Sequence, residues 1–214
     1  MTQELLQGLT RFKSEYFPRH REQFHRLVSE GQKPPTLFIG CADSRVVPDL
    51  FTGAPPGGMF VVRNVGNMVP PADQKGGLHG VAAAIEYAVD ILEVEEIIVC
   101  GHSHCGAIRA LYEPPSGVSR NLLDWLELAG EARIEGEEVG PDMLRRTERR
   151  AILLQLDRLM DFPSVRRRVE AGEMTLQGWH YMIEDGEVLI FDPEAGQFRP
   201  HEESRDDADV PGSA

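Results

Sequence analysis

Cysteine is scarce in this chain: 214 residues carry three, Cys41, Cys100 and Cys105. A small, odd number does not build a disulfide framework, which leaves thiol chemistry or metal ligation as the use for such residues. Positive charge is also short, with 22 Lys and Arg against 35 Asp and Glu and a net charge of −13. A nucleic-acid partner is therefore not expected, because it needs a clustered basic face. The densest basic group, Arg145-Arg146 with Arg149-Arg150, alternates with acid in a helical stretch and reads as a solvated face. No apolar run approaches the ~20 residues of a membrane span. Met1 to Phe12 is mixed and amphipathic, without the continuous apolar core of a secretory signal. A cytoplasmic protein with no membrane partner is the expectation. There is no internal repeat.

The composition that remains is ordinary for a soluble globular protein, with 41% hydrophobic and 27% charged residues, and the length suits one sizeable core. Three segments are expected. Residues 1–30 read as a helical arm with two helical patterns broken at Pro18, packing on the body or on a partner subunit. Residues 31–199 read as one α/β domain. Residues 200–214 are acidic, with almost no apolar content, and read as a disordered tail.

Within the body, Thr36–Gly40, Met59–Arg63 and Glu96–Cys100 are short apolar runs bounded by turn residues, and read as buried strands. Between the second and third lies a small-residue helix over 78–92, and another helix resumes at Ala107. This alternation predicts a central, mostly parallel sheet of about four strands with helices on its faces. Helices are expected over 121–129, 142–160 and 164–171. Asp185-Gly186 between two later apolar runs is a hairpin signal that adds an antiparallel edge strand.

The chemistry is concentrated after two of these strands. Cys41-Ala42-Asp43-Ser44-Arg45 follows the first, and Gly101-His102-Ser103-His104-Cys105-Gly106 follows the third. Ligands in open α/β sheets bind at the carboxyl ends of strands, and in a parallel sheet both segments lie on that rim. Two thiolates and one imidazole converging there, with a fourth position open, are the pattern of a catalytic zinc site. Such soft donors favour Zn²⁺ over Mg²⁺ or Ca²⁺. Either His102 or His104 can supply the imidazole. His102 is favoured, because His104 adjoins Cys105 and coordination by both would strain the backbone. Cys100, inside its strand, reads as a small buried hydrophobe. His79 reads as a surface or capping residue with a proton shuttle as the alternative, and Trp179-His180 as core plus edge.

Together the two motifs resemble those of the β-class carbonic anhydrases, over about Gln32 to Leu111 and more loosely through Gly178–Tyr181. The resemblance implies reversible hydration of CO₂ to bicarbonate and a proton at one Zn²⁺ per subunit held by Cys41, His102 and Cys105. It implies that Asp43 orients the attacking oxygen and that Arg45 keeps Asp43 ionised and turned from the metal. It also implies a substrate pocket of the plant-like kind, formed by Gln32, Phe60, Val65 and Tyr87. In that branch the glutamine and phenylalanine come from the neighbouring subunit, so a homodimer or dimer-based oligomer is implied. One branch of the family has a regulatory bicarbonate site with a tryptophan where this chain has Phe38; Arg63 and Tyr181 match its other members. Ala107 replaces a common second glycine. With two thiolates offsetting the metal charge, activity is expected to rise above neutral pH. Two other functions fit the same residues: hydrolysis of a CO₂ analogue such as carbon disulfide or carbonyl sulfide, and a zinc-binding assembly module without turnover. An intact Asp-Arg pair speaks against the last. Without the resemblance, Asp43 and Arg45 would read as a structural ion pair, Gln32 as loop polarity, and Phe60, Val65 and Tyr87 as core.

Overall fold

A computed structural model describes residues 2–72 and 79–201. The expected helix start at 78, its preceding glycines Gly76 and Gly77, and the tail 202–214 lie outside the described residues.

Strands β1 (Thr36–Cys41), β2 (Met59–Asn64), β3 (Glu96–His102), β4 (Thr175–Met182), β5 (Glu187–Asp192) and β6 (Gln197–Pro200) form one sheet in the order β2-β1-β3-β4-β5-β6. The first four in that order run parallel, while β5 and β6 add antiparallel. The edge thus holds two antiparallel strands where one was expected. The additional strand, β6, is four residues long and ends at Pro200. Only one flank of an edge strand needs hydrogen bonds, so a proline and a weak apolar pattern are tolerated there.

Central strands are buried on both faces, which is why they read as unbroken apolar runs. Alternation sorts their side chains. Leu37, Ile39, Ile97 and Val99 join a core with Ile85 and Val89, Ile152 and Leu159, and Val165. These partners come from α4 (Gly80–Glu86) and its continuation to Ile91, α7 (Pro141–Leu159) and α8 (Pro163–Glu170). Phe38, Ile98 and Cys100 point the other way, against Phe51, Trp179 and Tyr181. Shorter helices α3 (Pro48–Thr52), α5 (Gly106–Ala110) and α6 (Arg120–Leu126) fill the connections.

The N-terminal pair, α1 (Thr2–Arg11) and α2 (Phe17–Ser29), is joined by a π-helical turn over Phe12–Tyr16, so the helix is not broken at Pro18. Proline lacks an N–H and its ring crowds the carbonyl four residues back. Here it falls in the first turn of α2, directly after the wider π turn, where both conflicts are relieved. No residue of α1 or α2 is buried. Among the described residues no helix is long and apolar enough to cross a membrane.

Candidate metal centre

Cys41 is the last residue of β1 and His102 the last of β3, and the two strands are parallel neighbours. Their side chains therefore emerge on one rim of the sheet. Cys105 follows one turn later, in extended conformation at the N-cap of α5. The ligand atoms of Cys41, His102 and Cys105 all lie within 4.8 Å of one another, and all three residues are buried. His104 goes elsewhere. Its backbone is left-handed with φ 57°, and its half-exposed ring has Nε2 3.5 Å from Glu184. The structure therefore brings His102, and not His104, to the two sulfurs.

The donor set fits a soft divalent metal on local evidence. His102 Nδ1 is 2.9 Å from the Ser103 carbonyl oxygen and donates its proton there. Nε2 is then left as a lone pair, buried and without a hydrogen-bond partner. A buried imidazole nitrogen with no partner is costly unless something coordinates it. Cys41 Sγ accepts the backbone N–H of Asp43 and of Gly66, each at 3.4 Å. The adjacent Cys105 thiol, helped by His102 and these two N–H groups against the cost of burial, pulls the Cys41 thiol down to about 4. The same contact with the Cys41 sulfur pushes Cys105 up. One of the pair is ready to ionise, and a divalent cation between them is what lets both do so. Cys100 is different: burial raises its thiol well above the ordinary range.

Beside this cluster, Asp43 and Arg45 form a bidentate pair. Arg45 Nε donates to Oδ1 at 2.9 Å and Nη2 to Oδ2 at 2.7 Å, and the Arg45 backbone N–H adds a third bond at 3.0 Å. These contacts hold the Asp43 carboxyl well below the usual carboxylate range. Its Oδ2 lies 3.9 Å from His102 Nε2, so the carboxylate is at the edge of the cluster. Arg45 Nη2 also reaches the His104 carbonyl at 3.2 Å and so ties the two motif loops together.

The expected pocket residues are placed unevenly. Phe60 and Tyr87 meet with ring centroids 5.9 Å apart. Tyr87 and Val65 are each 44% exposed, and the Val65 carbonyl accepts the Trp125 indole N–H at 2.7 Å. Phe60 pairs in register with Leu37, four residues before Cys41. Gln32 is exposed in the segment before β1, at the end of the strand opposite Cys41. The chain's own metal cluster therefore has Val65 near it through Gly66, but not Gln32 or Phe60. Arg63 spends its guanidinium on the carbonyls of Cys41 at 3.0 Å and Asp43 at 2.7 Å. Tyr181 stacks on Phe51, and Phe38 is fully buried against Trp179. His79 stacks on Trp125.

Sequence reasoning missed a second layer behind the cluster. Glu148 and His180 are buried and bonded to each other, and Glu148 accepts the Cys105 backbone N–H. A signal for it exists: Met143, Thr147, Ala151, Ile152, Gln155 and Leu159 recur at helical spacing, and Glu148 sits on that inward stripe of α7.

A parallel sheet that presents a buried Cys-His-Cys cluster with an adjoining Asp-Arg pair at its strand ends defines a class: α/β metalloenzymes with thiolate-imidazole centres. The carbonic anhydrase family pattern matches residues 36–188, and the chain belongs to that family as a β-class enzyme. It is 42% identical over 201 residues to a carbonic anhydrase of Synechocystis, spanning 89% of this chain and 71% of that one. It is 40% identical over 208 residues to carbonic anhydrase 1 of Escherichia coli O157:H7, spanning 92% and 91%. Among solved structures, the β-carbonic anhydrase CcaA superposes with a TM-score of 0.86 at 39% identity, covering 93% of this chain and 98% of that one. One of two tetrameric β-carbonic anhydrases from Sordaria macrospora superposes at 0.76 and 27% identity, covering 88% and 95%.

Proposed function

We propose that this enzyme hydrates CO₂ reversibly at a zinc ion held by Cys41, His102 and Cys105, with Asp43 and Arg45 as the working pair. The observation that carries this reading is the buried, unpartnered Nε2 of His102 facing two cysteine sulfurs, with an ionised carboxylate 3.9 Å away. When bound, zinc supplies Lewis acidity that makes water a nucleophile near neutral pH. With a metal held by Cys41, His102 and Cys105, Asp43 would accept a hydrogen bond from the attacking water and so orient it toward the carbon of CO₂. Arg45 keeps the carboxylate charged and holds both its oxygens in place, so that Asp43 does not turn inward as a further ligand. The reduced thiols that this needs suit a reducing compartment such as the cytoplasm.

The substrate pocket is assigned to two chains. Val65 and Asp43 come from the subunit that holds the metal. Gln32 and Phe60 come from its partner, with Tyr87 against Phe60. Two features support this. A six-residue strand is roughly 20 Å long, which separates Gln32 from the Cys41 of its own chain. The arm also exposes Leu5, Leu6, Leu9 and Val28 by 58–85%, an apolar stripe that a second subunit would cover.

Stopped-flow CO₂ hydration with zinc quantitation across pH 6.5–9 tests the reading. About one zinc per subunit and a rate that climbs with pH are expected; a zinc-loaded protein with no hydration activity at any of these pH values rejects it.

A further inference from the structure

Carboxylates are almost never fully buried unless paired, yet Glu148 is 4% exposed and belongs neither to the ligand set nor to the Asp43–Arg45 pair. Its Oε1 accepts the backbone N–H of Cys105 at 3.2 Å. Its Oε2 lies 3.1 Å from His180 Nε2 and 3.6 Å from Arg145 Nε. Arg149 Nε donates to His180 Nδ1 at 3.4 Å, so the imidazole proton sits on Nε2 and is given to Glu148. Arg145 reaches on to Glu184 at 2.7 Å, and Glu184 takes the Ser103 hydroxyl on its other oxygen. The segment between His102 and Cys105 is thereby gripped at two points, Ser103 and Cys105, by two carboxylates that Arg145 bridges.

That segment needs holding. His104 sits in left-handed backbone at φ 57°, a conformation that persists in a non-glycine residue only where its surroundings over-determine it. Cys105 is extended with ψ 119° immediately before α5, so its N–H lies outside any helix ladder and Glu148 is the acceptor it has. A water molecule in the carboxylate's place would satisfy the bond without fixing the sulfur's position.

We propose that Glu148 is a positioning residue of the metal centre: by accepting the Cys105 N–H, with His180 and Arg145 holding its carboxylate, it sets where the Cys105 sulfur stands. This rests on the zinc reading above. The test uses the full chain with zinc affinity from chelator competition and, separately, the ligand-field and thiolate charge-transfer absorption of the cobalt-substituted protein. E148A is expected to bind zinc about 10–100-fold more weakly, with shifted ligand-field bands. E148Q, which keeps an oxygen for the Cys105 N–H but turns an amide NH₂ toward the His180 N–H, is expected to fall between the parent and E148A, with a loss of less than about ten-fold. E148A indistinguishable from the parent in both readouts, or E148Q falling as far as E148A, overturns the assignment. Should E148A fail to fold by circular dichroism, E148Q decides alone, and a loss of about ten-fold or more is the overturning result. A parent that binds no zinc overturns the metal reading and this one with it, whereas a zinc-binding parent with indifferent variants overturns only the role of Glu148.

Discussion

Asp43 is fixed by three hydrogen bonds from one residue, Arg45, and that arrangement makes the pair separable by mutation. On the proposed reading, Asp43→Ala removes the acceptor that would orient the attacking water. It is expected to cut CO₂ hydration by about 100-fold or more while zinc content is unchanged. Arg45→Ala leaves the carboxylate without its two bonds from the guanidinium and, on the same reading, would free it to turn toward the Cys41-His102-Cys105 cluster. A drop of about ten-fold or more is expected, again with zinc retained. Near-parental rates for Asp43→Ala with full zinc would make the pair structural. Both variants are read by stopped-flow assay and metal analysis on one preparation. Two other residues give the acid response of stability. The Ser103 hydroxyl, with Arg145 behind it, lowers the Glu184 carboxyl to about 2. Burial lowers the His180 imidazole from its ordinary 6.5 despite the opposing pull of Glu148. In both cases the unfolded chain binds protons at a higher pH than the folded one, so stability falls on acidification. The His180 share is lost as pH drops below 6.5, and the Glu184 share follows below the ordinary glutamate range, toward 2. Thermal melts from pH 7.5 to 4 are expected to show this decline, and His180→Phe is expected to flatten its upper part.

At the level of elements, the centre depends on how closely strands, turns and helices approach. Gly66 shows this. It has φ 75°, donates its N–H to Cys41 Sγ, and leaves no room for a side chain: a Cβ would stand 2.6 Å from Met68 and 2.9 Å from Ala107. Gly66→Ala is expected to cost roughly 1–3 kcal/mol in denaturant unfolding and to weaken zinc binding, because relieving the clash moves the N–H from the sulfur. Strand positions and types are legible in the amino-acid sequence, since Leu37, Ile39, Ile97 and Val99 lie in buried runs that need no partner to be recognised. β6 and the π turn at Phe12–Tyr16 are not. A four-residue edge strand takes its identity from pairing with β5, and a π turn leaves the helical periodicity around it almost unchanged. Glu148 is hidden for a related reason. Helical spacing puts it on the inward stripe of α7, but only packing against β3 and β4 shows what that glutamate meets there.

For the whole molecule, the exposed stripe on the N-terminal arm and the placement of Gln32 and Phe60 away from their own chain's metal cluster lead to the same expectation. Deleting residues 2–29 is expected to shift the sedimentation mass toward a monomer and to abolish hydration, while the metal cluster itself, built entirely from later residues, still takes up zinc. A truncated protein that stays oligomeric and active would reject the shared pocket. The net charge of −13 would work against association of two copies at low ionic strength, so the proposed oligomer is expected to tighten as salt rises toward physiological levels.

The amino-acid sequence alone determined the donors and their order: two cysteines and a histidine at the ends of apolar runs, with an aspartate and an arginine at alternate positions after the first. Those follow from local chemistry, because strand character and ligand type are properties of short segments. Residue order already favours His102 over His104, and the tertiary structure shows that His102 stands beside the two sulfurs while His104 turns to Glu184, because that depends on which way the loop runs after β3. The tertiary structure alone revealed the carboxylates behind Ser103 and Cys105, and the distance between Gln32 and the cluster. Each depends on residues far apart in the chain meeting, or failing to meet, across a packed sheet, and no short-range pattern records that.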